Sequence, residues 1–372
     1  MMRILINAYS LTTGGGQRIL KDFLHDLCGI APEKKLIFYV CVASRSEYAM
    51  FESENIKLFE LPSLLRKKYL QPMVRYYLAR QIEKLKISKV FSMGNIALPT
   101  DRPQLLLFHW AYAVYPDKAI WSNMDIKSYL NRKIRLSLFQ KNLMYATRVI
   151  AQTRNIEERL QRYYGLENIV TIPNSVAINS HPAGHHRSFD LPDGKKLLYL
   201  THYYTHKNLE IFIPLAKKIQ EKNLDYKLIT TISEEQHPLA KKFLHDVTKY
   251  GLQDVIHNIG PVKFEETASL YGQCDALLMP TLLESFGITY IEAMQFKLPI
   301  LTSDRDFARE LCKDSAFYFD PLESADILKT IQNAFSNTGS LEVKTAQYAL
   351  FLKGFPSSDD VAKKYVEEII RL

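Results

Sequence analysis

Short uninterrupted apolar runs alternate with longer segments whose apolar residues recur every three to four positions, and the alternation extends along nearly the whole chain. Runs of this kind fit strands buried on both faces, and the segments between them fit helices laid over those faces. The front half predicts strands at 3–8, 36–42, 56–59, 89–91, 104–108 and 148–151, with helices near 15–28, 45–51, 68–86, 126–145 and 154–164. The period then lapses. PNSVAINSHPAGHHRSFDLPDGKK, residues 173–196, is rich in Pro, Gly, Ser, Asn and His and reads as a linker.

Beyond it the pattern restarts, with strands at 197–201, 226–231, 255–258, 276–280, 299–302 and 316–319. Helices fall near 207–221, 236–249, 265–271, 287–296, 304–311 and 324–335. The last segment, SSDDVAKKYVEEIIRL, opens on Ser and Asp as cap candidates and runs as an amphipathic helix to the C-terminus. The expectation is an α/β protein of two doubly wound domains: 1–172, a linker at 173–196, 197–354, and a final helix within 355–372. Such sheets bind ligands at the carboxyl ends of their strands, so a cleft between the two is where a ligand is expected.

Composition adds boundaries to this picture. The 372 residues, 47% hydrophobic and 24% charged, suffice for two separate cores. Cys28, Cys41, Cys274 and Cys312 stand far apart with no CxxC pair, which argues against a zinc knuckle or disulfide framework and for a reducing, cytoplasmic compartment. No stretch reaches the roughly 18 apolar residues of a membrane-spanning helix. The opening MMRILINAYS is too short in its apolar part for a leader and reads as the first strand.

Charge is unevenly placed. Residues 1–170 hold 26 Lys and Arg against 14 Asp and Glu, a net of +12, whereas the remainder nets −4. Within the front half, LRKKYLQPMVRYYLARQIEKLK (65–86) and NRKIRLSLFQKNLMYATR (131–148) interleave basic with aromatic and aliphatic residues at helical spacing. Such stretches suit solvated helix faces or an anionic lipid surface; with no nucleic-acid-binding signature beside them, nucleic acid is not an expected partner. His181, His185 and His186 lie in the irregular segment without a neighbouring carboxylate or Cys and read as linker composition, so no metal is expected there.

The sharpest chemistry is in ESFGITYIE, residues 284–292, between the strand at 276–280 and the helix at 287–296. A helix start beyond a strand end offers free N–H groups to an anion, and Gly287 lets that anion come close to the backbone. Glu284 lies in the loop, and Glu292, about a turn into the helix, leans back towards its start. Carboxylates repel phosphate but accept hydrogen bonds from sugar hydroxyls, so two of them beside an anion cradle suit a sugar nucleotide; a helix cap and a surface charge are the other reading.

The E-x7-E spacing of Glu284 and Glu292 after an apolar strand resembles the donor-binding signature of family 4 glycosyltransferases, retaining enzymes of the GT-B fold. Further stretches resemble that family in order: TTGGGQRIL its first glycine-rich turn, LLLFHW its strand-end histidine, VIAQTRNIEERLQRYYG the end of its first domain, and TIPNSV its entry to the linker. LYLTHYYTHKNLEIFI resembles the segment that supplies a phosphate-binding lysine, and IHNIGPVKFEETASLYGQCDALLMP the base-binding turn and the strand before the glutamates. The resemblance implies two Rossmann-like domains facing across a deep cleft, with the C-terminal helix packed back on the first.

It also implies roles. Glu284 hydrogen-bonds the donor sugar, Glu292 the ribose, and the backbone of Phe286, Gly287 and Ile288 the diphosphate, which Lys207 neutralises from the other side. Pro261 and Val262 lie at the base, Gly15 and Gly16 bring backbone donors from the first domain, His109 lies near the reacting sugar and Asn174 at the cleft floor. Three positions depart from the family: His202 stands where an Arg is usual, Trp110 where an Asp is frequent after the histidine, and Ser175 where a Gly is frequent after Asn174. At His202 a permanent charge has become a titratable one.

The chain is read as carrying no acidic metal motif such as D-x-D, and neither metal nor cofactor is expected. The function implied is retaining, metal-independent transfer of a hexose from a UDP- or GDP-sugar to a hydroxyl acceptor, a growing surface glycan or lipid-linked saccharide of lipopolysaccharide or capsule type. A non-catalytic nucleotide-sugar-binding protein of the same fold is the alternative.

Overall fold

A computed structural model describes residues 1–12, 14–66, 71–122, 124–175 and 187–372. The histidines at 181, 185 and 186, and positions 67–70 of the first basic stretch, lie outside the described residues. The chain divides into two compact units: Met1–Val114, Ile126–Ser175 and Pro356–Leu372 form the first, Tyr115–Asp125 and Val176–Phe355 the second.

The first unit is built on a seven-stranded sheet of β1 (Met2–Asn7), β2 (Leu36–Val42), β3 (Ile56–Glu60), β4 (Lys89–Ser92), β5 (Gln104–Leu107), β6 (Arg148–Ala151) and β7 (Ile169–Thr171). All neighbours are parallel, in the order β3-β2-β1-β4-β5-β6-β7. Parallel pairing leaves both faces to be covered by the crossover helices, and Ile4, Leu5, Ile6, Val90, Leu105 and Ile150 are buried accordingly. One face carries the long helix Gly14–Glu33 and, from the far end of the chain, the helix Ser358–Arg371. Phe23, Phe91 and Tyr365 meet there edge to face, with ring centroids 5.4–5.7 Å apart. The helix Ser358–Arg371 begins with the capping box Ser357–Asp360 and buries Val361, Ala362, Tyr365, Val366 and Ile369, the face its sequence period marks.

The second unit has a six-stranded sheet of β8 (Lys195–Tyr199), β9 (Tyr226–Thr230), β10 (Ile256–Asn258), β11 (Ala276–Met279), β12 (Ile300–Ser303) and β13 (Ala316–Phe319). It is again all parallel, in the order β10-β9-β8-β11-β12-β13. In each sheet the winding reverses once, between β1 and β4 in the first and between β8 and β11 in the second. Those reversals are where an open α/β sheet leaves a crevice at its strand ends.

Several expectations need correction. The segment 45–51 forms only a single 3-10 turn at Ala49–Phe51. The end of the linker reading is packed: Arg187 pairs with Glu266, the Phe189 N–H donates to Gln273 Oε1, and β8 already begins at Lys195. Tyr115–Asp125 packs with the second unit although it precedes the linker, because Tyr115 donates to Asp306 Oδ1 at 2.9 Å and Asp125 lies 3.4 Å from His237 Nε2. Strand β7 and the helices Lys118–Ser122, Thr338–Ala346 and Tyr348–Leu352 lacked a sequence signal long enough to mark them. No helix among the described residues is long and apolar enough to cross a membrane.

Candidate active site

In the second unit the loops that follow β8 and β11 lie side by side at the reversal point. The Leu282 N–H donates to the His206 carbonyl at 2.8 Å, and Thr281 Oγ1 donates to the same oxygen at 3.3 Å. Sequence periodicity predicts one helix over 207–221, but the chain makes a 3-10 turn at Thr205–Lys207 and only settles into an α-helix at Phe212–Glu221. Asn208 is the cause. Its backbone is left-handed (φ 57°), which Asn tolerates, and its Nδ2 donates to the carbonyls of Pro280 at 3.1 Å and Pro321 at 2.8 Å. The Tyr199 hydroxyl holds the Lys207 carbonyl at 2.9 Å from below.

So anchored, Lys207 reaches across to the neighbouring loop. Its Nζ is 2.5 Å from Glu284 Oε1, with only 15% of the lysine and 13% of the glutamate side chain exposed. Burial, with the negative charge of Glu284 added, holds the phenols of Tyr199 and Tyr290 well above their ordinary range, so both stay neutral donors around the pair.

Gly287 caps the helix Ile288–Gln295 in the left-handed region, at φ 84°. A Cβ there would stand 2.7 Å from Tyr290 Cδ2, so the position is closed to other residues by packing as well as by backbone conformation. Tyr290 is itself pinned: its hydroxyl is 2.7 Å from Thr302 Oγ1, which donates to the Met279 carbonyl at 3.2 Å, tying the helix to β11 and β12. Phe286 is buried and Ile288 half-buried beside the helix start, whose first N–H groups have no partner within the helix. Glu292, one turn further on, accepts from the Tyr271 hydroxyl at 3.0 Å, and the Tyr271 ring stacks on Phe296 with centroids 5.2 Å apart. Pro261 and Val262 follow Gly260 in the turn leading to the helix Thr267–Gly272 that carries Tyr271.

His202 is in the same loop as Lys207. The ring is exposed, 3.1 Å from the Tyr203 carbonyl through Nδ1, with the Tyr204 ring tilted beside it at a centroid distance of 4.9 Å. Contrary to the expectation that no D-x-D motif occurs, Asp304-Arg305-Asp306 has that spacing. Asp304 is clamped by Arg309 at 2.7 and 2.8 Å, and Asp306 accepts from Tyr115 and the Phe307 N–H. Among the described residues no group of three or more His, Cys, Asp or Glu is placed to hold a metal ion.

In the first unit Gly15 and Gly16 lie in the first turn of the helix Gly14–Glu33, just beyond β1. His109 follows β5; its N–H donates to Asn95 Oδ1 at 2.6 Å and its Nε2 is 3.0 Å from the Met93 carbonyl. A carbonyl there requires the proton on Nε2, and burial, with the Arg135 charge added, pushes the imidazole down to about 4. Asn174, beyond β7, accepts from Gln152 Nε2 at 2.7 Å. Asn208 and Tyr271 were missed by sequence reasoning, since both act through partners 21 to 113 residues away.

Two all-parallel sheets of this topology are the architecture of the GT-B fold. Residues 185–350, within the second unit, match the family described as Glycosyl transferases group 1. The chain is similar to the O-antigen chain mannosyltransferase RfbU of Salmonella typhimurium, 24% identical over 315 residues that make up 81% of each protein. Among solved structures it resembles a glycosyltransferase from Rickettsia africae (TM-score 0.70, 17% identity, 99% of this chain and 97% of that one). It resembles equally Anabaena HepE in complex with UDP and glucose (TM-score 0.70, 15% identity, 100% of both chains).

Proposed function

We propose that the protein transfers a hexose from a nucleoside-diphosphate sugar to a hydroxyl acceptor, with retention at the anomeric carbon and without a metal ion. The observation that carries the reading is the Lys207–Glu284 pair, held beside the Gly287 helix start. A departing nucleoside diphosphate needs positive potential on its phosphates, and an ammonium together with a helix N-terminus supplies it. With no donor bound, Glu284 neutralises Lys207. A diphosphate at the helix start competes for the same ammonium, which frees the carboxylate to accept hydrogen bonds from sugar hydroxyls.

In the same reading Phe286, Gly287 and Ile288 meet the diphosphate through their N–H groups, Glu292 takes the ribose, and Pro261 and Val262 the base. The acceptor oxygen bonds to the anomeric carbon on the face from which the phosphate oxygen departs, and that phosphate takes the acceptor's proton. Gly15, Gly16, His109 and Asn174 are the first unit's contribution, with His109 acting as a neutral hydrogen-bonding group.

RfbU's name makes a mannose nucleotide the first donor to test, and the HepE complex makes UDP-glucose the second. A growing surface glycan or lipid-linked saccharide at the inner face of the membrane is the acceptor this suggests. Ile126, Leu130 and Ile134, exposed by 80%, 54% and 60% along the helix Ile126–Leu143 among Lys127 and Lys133, suit shallow insertion into anionic lipid. Sedimentation with phosphatidylglycerol vesicles at low salt tests this; a protein left in the supernatant refutes it.

The decisive experiment incubates the full chain with GDP-mannose or UDP-glucose and a saccharide acceptor, with and without EDTA, and reads the product anomer by NMR. Retained configuration and EDTA-insensitive turnover are expected. Donor binding with neither transfer nor hydrolysis above background establishes a binding protein instead.

A further inference from the structure

We infer that Tyr271 is a positioning residue for donor recognition: its hydroxyl fixes the Glu292 carboxylate for the ribose hydroxyls, so that discrimination between ribose and deoxyribose depends on a residue that acts only through its neighbour. The inference rests on the reading above that gives Glu292 to the ribose, and adds the group that holds it there.

A glutamate one turn inside a helix carries its carboxylate on several rotatable bonds, and every orientation it samples apart from the productive one weakens a directional contact. Glu292 is half-buried on the helix Ile288–Gln295. The Tyr271 hydroxyl donates to its Oε2 at 3.0 Å, from a residue only 1% exposed. Such a bond to an ionised acceptor is about twice as strong as one between neutral groups, and it occupies one of the roughly four lone-pair sites that a carboxylate offers. Held so, a carboxylate presents the acceptor pattern that the vicinal hydroxyls of a ribose require.

The ring is itself fixed. It stacks on Phe296, the residue that ends the Glu292 helix, with centroids 5.2 Å apart and planes 9° from parallel. The helix that carries Tyr271, Thr267–Gly272, is too short to be stable alone, and residues 187–190 secure it from a distant part of the sequence. Arg187 pairs with both carboxylate oxygens of Glu266 at 3.0 Å, Gln273 Nε2 donates to the Arg187 carbonyl at 2.8 Å, and the Phe189 N–H donates to Gln273 Oε1 at 3.0 Å. The same short segment reaches β10, where His257 Nε2 lies 3.1 Å from the Asp190 carbonyl. Pro261 and Val262 are in the turn between β10 and that helix, so the base turn and Tyr271 share one support.

A buried phenol needs a hydrogen-bond partner, and a carboxylate within reach satisfies it whatever else the site does. The two roles differ in what depends on the bond. A phenol that only satisfies itself leaves ribose discrimination unchanged when its hydroxyl is removed, whereas one that positions Glu292 takes the discrimination with it.

Tyr271→Phe keeps the ring and its stacking and removes only the donor. Calorimetry measures UDP and GDP, each beside its 2′,3′-dideoxyribose counterpart, on the full chain, on Tyr271→Phe, on Glu292→Gln and on the double variant. For the nucleotide that binds, the parent protein should prefer the ribose form about a hundredfold, and Tyr271→Phe should cut that preference about tenfold while binding the dideoxy form within about twofold of the parent. In the Glu292→Gln background the hydroxyl should make no further difference. An unchanged preference in Tyr271→Phe, equal weakening of both forms included, overturns the inference. So does an equal drop in the Glu292→Gln background, since the hydroxyl would then act by another route. In transfer assays Tyr271→Phe should raise the donor KM about fivefold or more with kcat within about twofold; a fall in kcat at unchanged KM overturns the inference as well. A parent protein that binds neither nucleotide, or binds without ribose preference, refutes the assignment of Glu292 and the inference with it, whereas absence of transfer with the preference intact refutes only the proposed reaction.

Discussion

Lys207 and Glu284 lie 77 residues apart in sequence and 2.5 Å apart in space, on the loops after the two strands that flank the reversal point of the second sheet. Each is the other's principal counter-charge in a largely enclosed position, so removing either leaves an unpaired ion as well as a site without its cation or its carboxylate.

Lys207→Ala and Glu284→Ala should each lower kcat by about a hundredfold or more, roughly 3 kcal/mol of transition-state stabilisation. Steady-state assays with the best donor check this, alongside circular dichroism to establish that the variants fold. Near-parental turnover in both would sink the proposed role.

Gly287→Ala should destabilise the second unit by about 2 kcal/mol or more, because the new Cβ faces Tyr290 and the backbone must stay left-handed. Adding Tyr290→Ala removes the clash but not the backbone strain, so the double variant should not regain parental stability. Thermal melts of the three proteins, with and without nucleotide, decide the point.

The first unit should lose stability as pH falls from about 6.5 to 4, where an unfolded histidine takes up a proton and the native His109 does not. The loss is complete below the native value, and is about 2 kcal/mol once partial exposure is discounted. His109→Gln should flatten that part of a urea-midpoint profile; an unaltered slope would remove His109 as its source.

Tyr365→Ala should cost the first unit about 3 to 4 kcal/mol, since the ring fills the space between Phe23 and Phe91. Tyr365→Phe should be neutral or stabilising by about 1 kcal/mol, because the hydroxyl is buried without a partner. Calorimetry that shows equal losses for the two substitutions would contradict the packing described.

Most of the scaffold was legible because its signals are local. Twelve of the thirteen strands coincide with short stretches read as strands from the apolar pattern, and only β7, three residues long and half-buried, was not marked. The glutamate spacing of ESFGITYIE, the glycine at its centre and the final amphipathic helix were likewise visible in consecutive residues. Strand order, the partner of the C-terminal helix and the membership of Tyr115–Asp125 were not, since they depend on which buried faces find each other after collapse.

The site divides in the same way. Residue types and spacing marked Glu284, Gly287 and Glu292 as chemistry-bearing, and the family resemblance added Lys207. Only tertiary structure set Lys207 against Glu284, held Asn208 through two distant carbonyls, and gave the D-x-D aspartates Arg309, Tyr115 and the Phe307 N–H as partners. Periodicity reports which face of an element is buried, whereas counter-charges and hydrogen-bond partners come from other elements, and their distances exist only once both sheets have closed their cores.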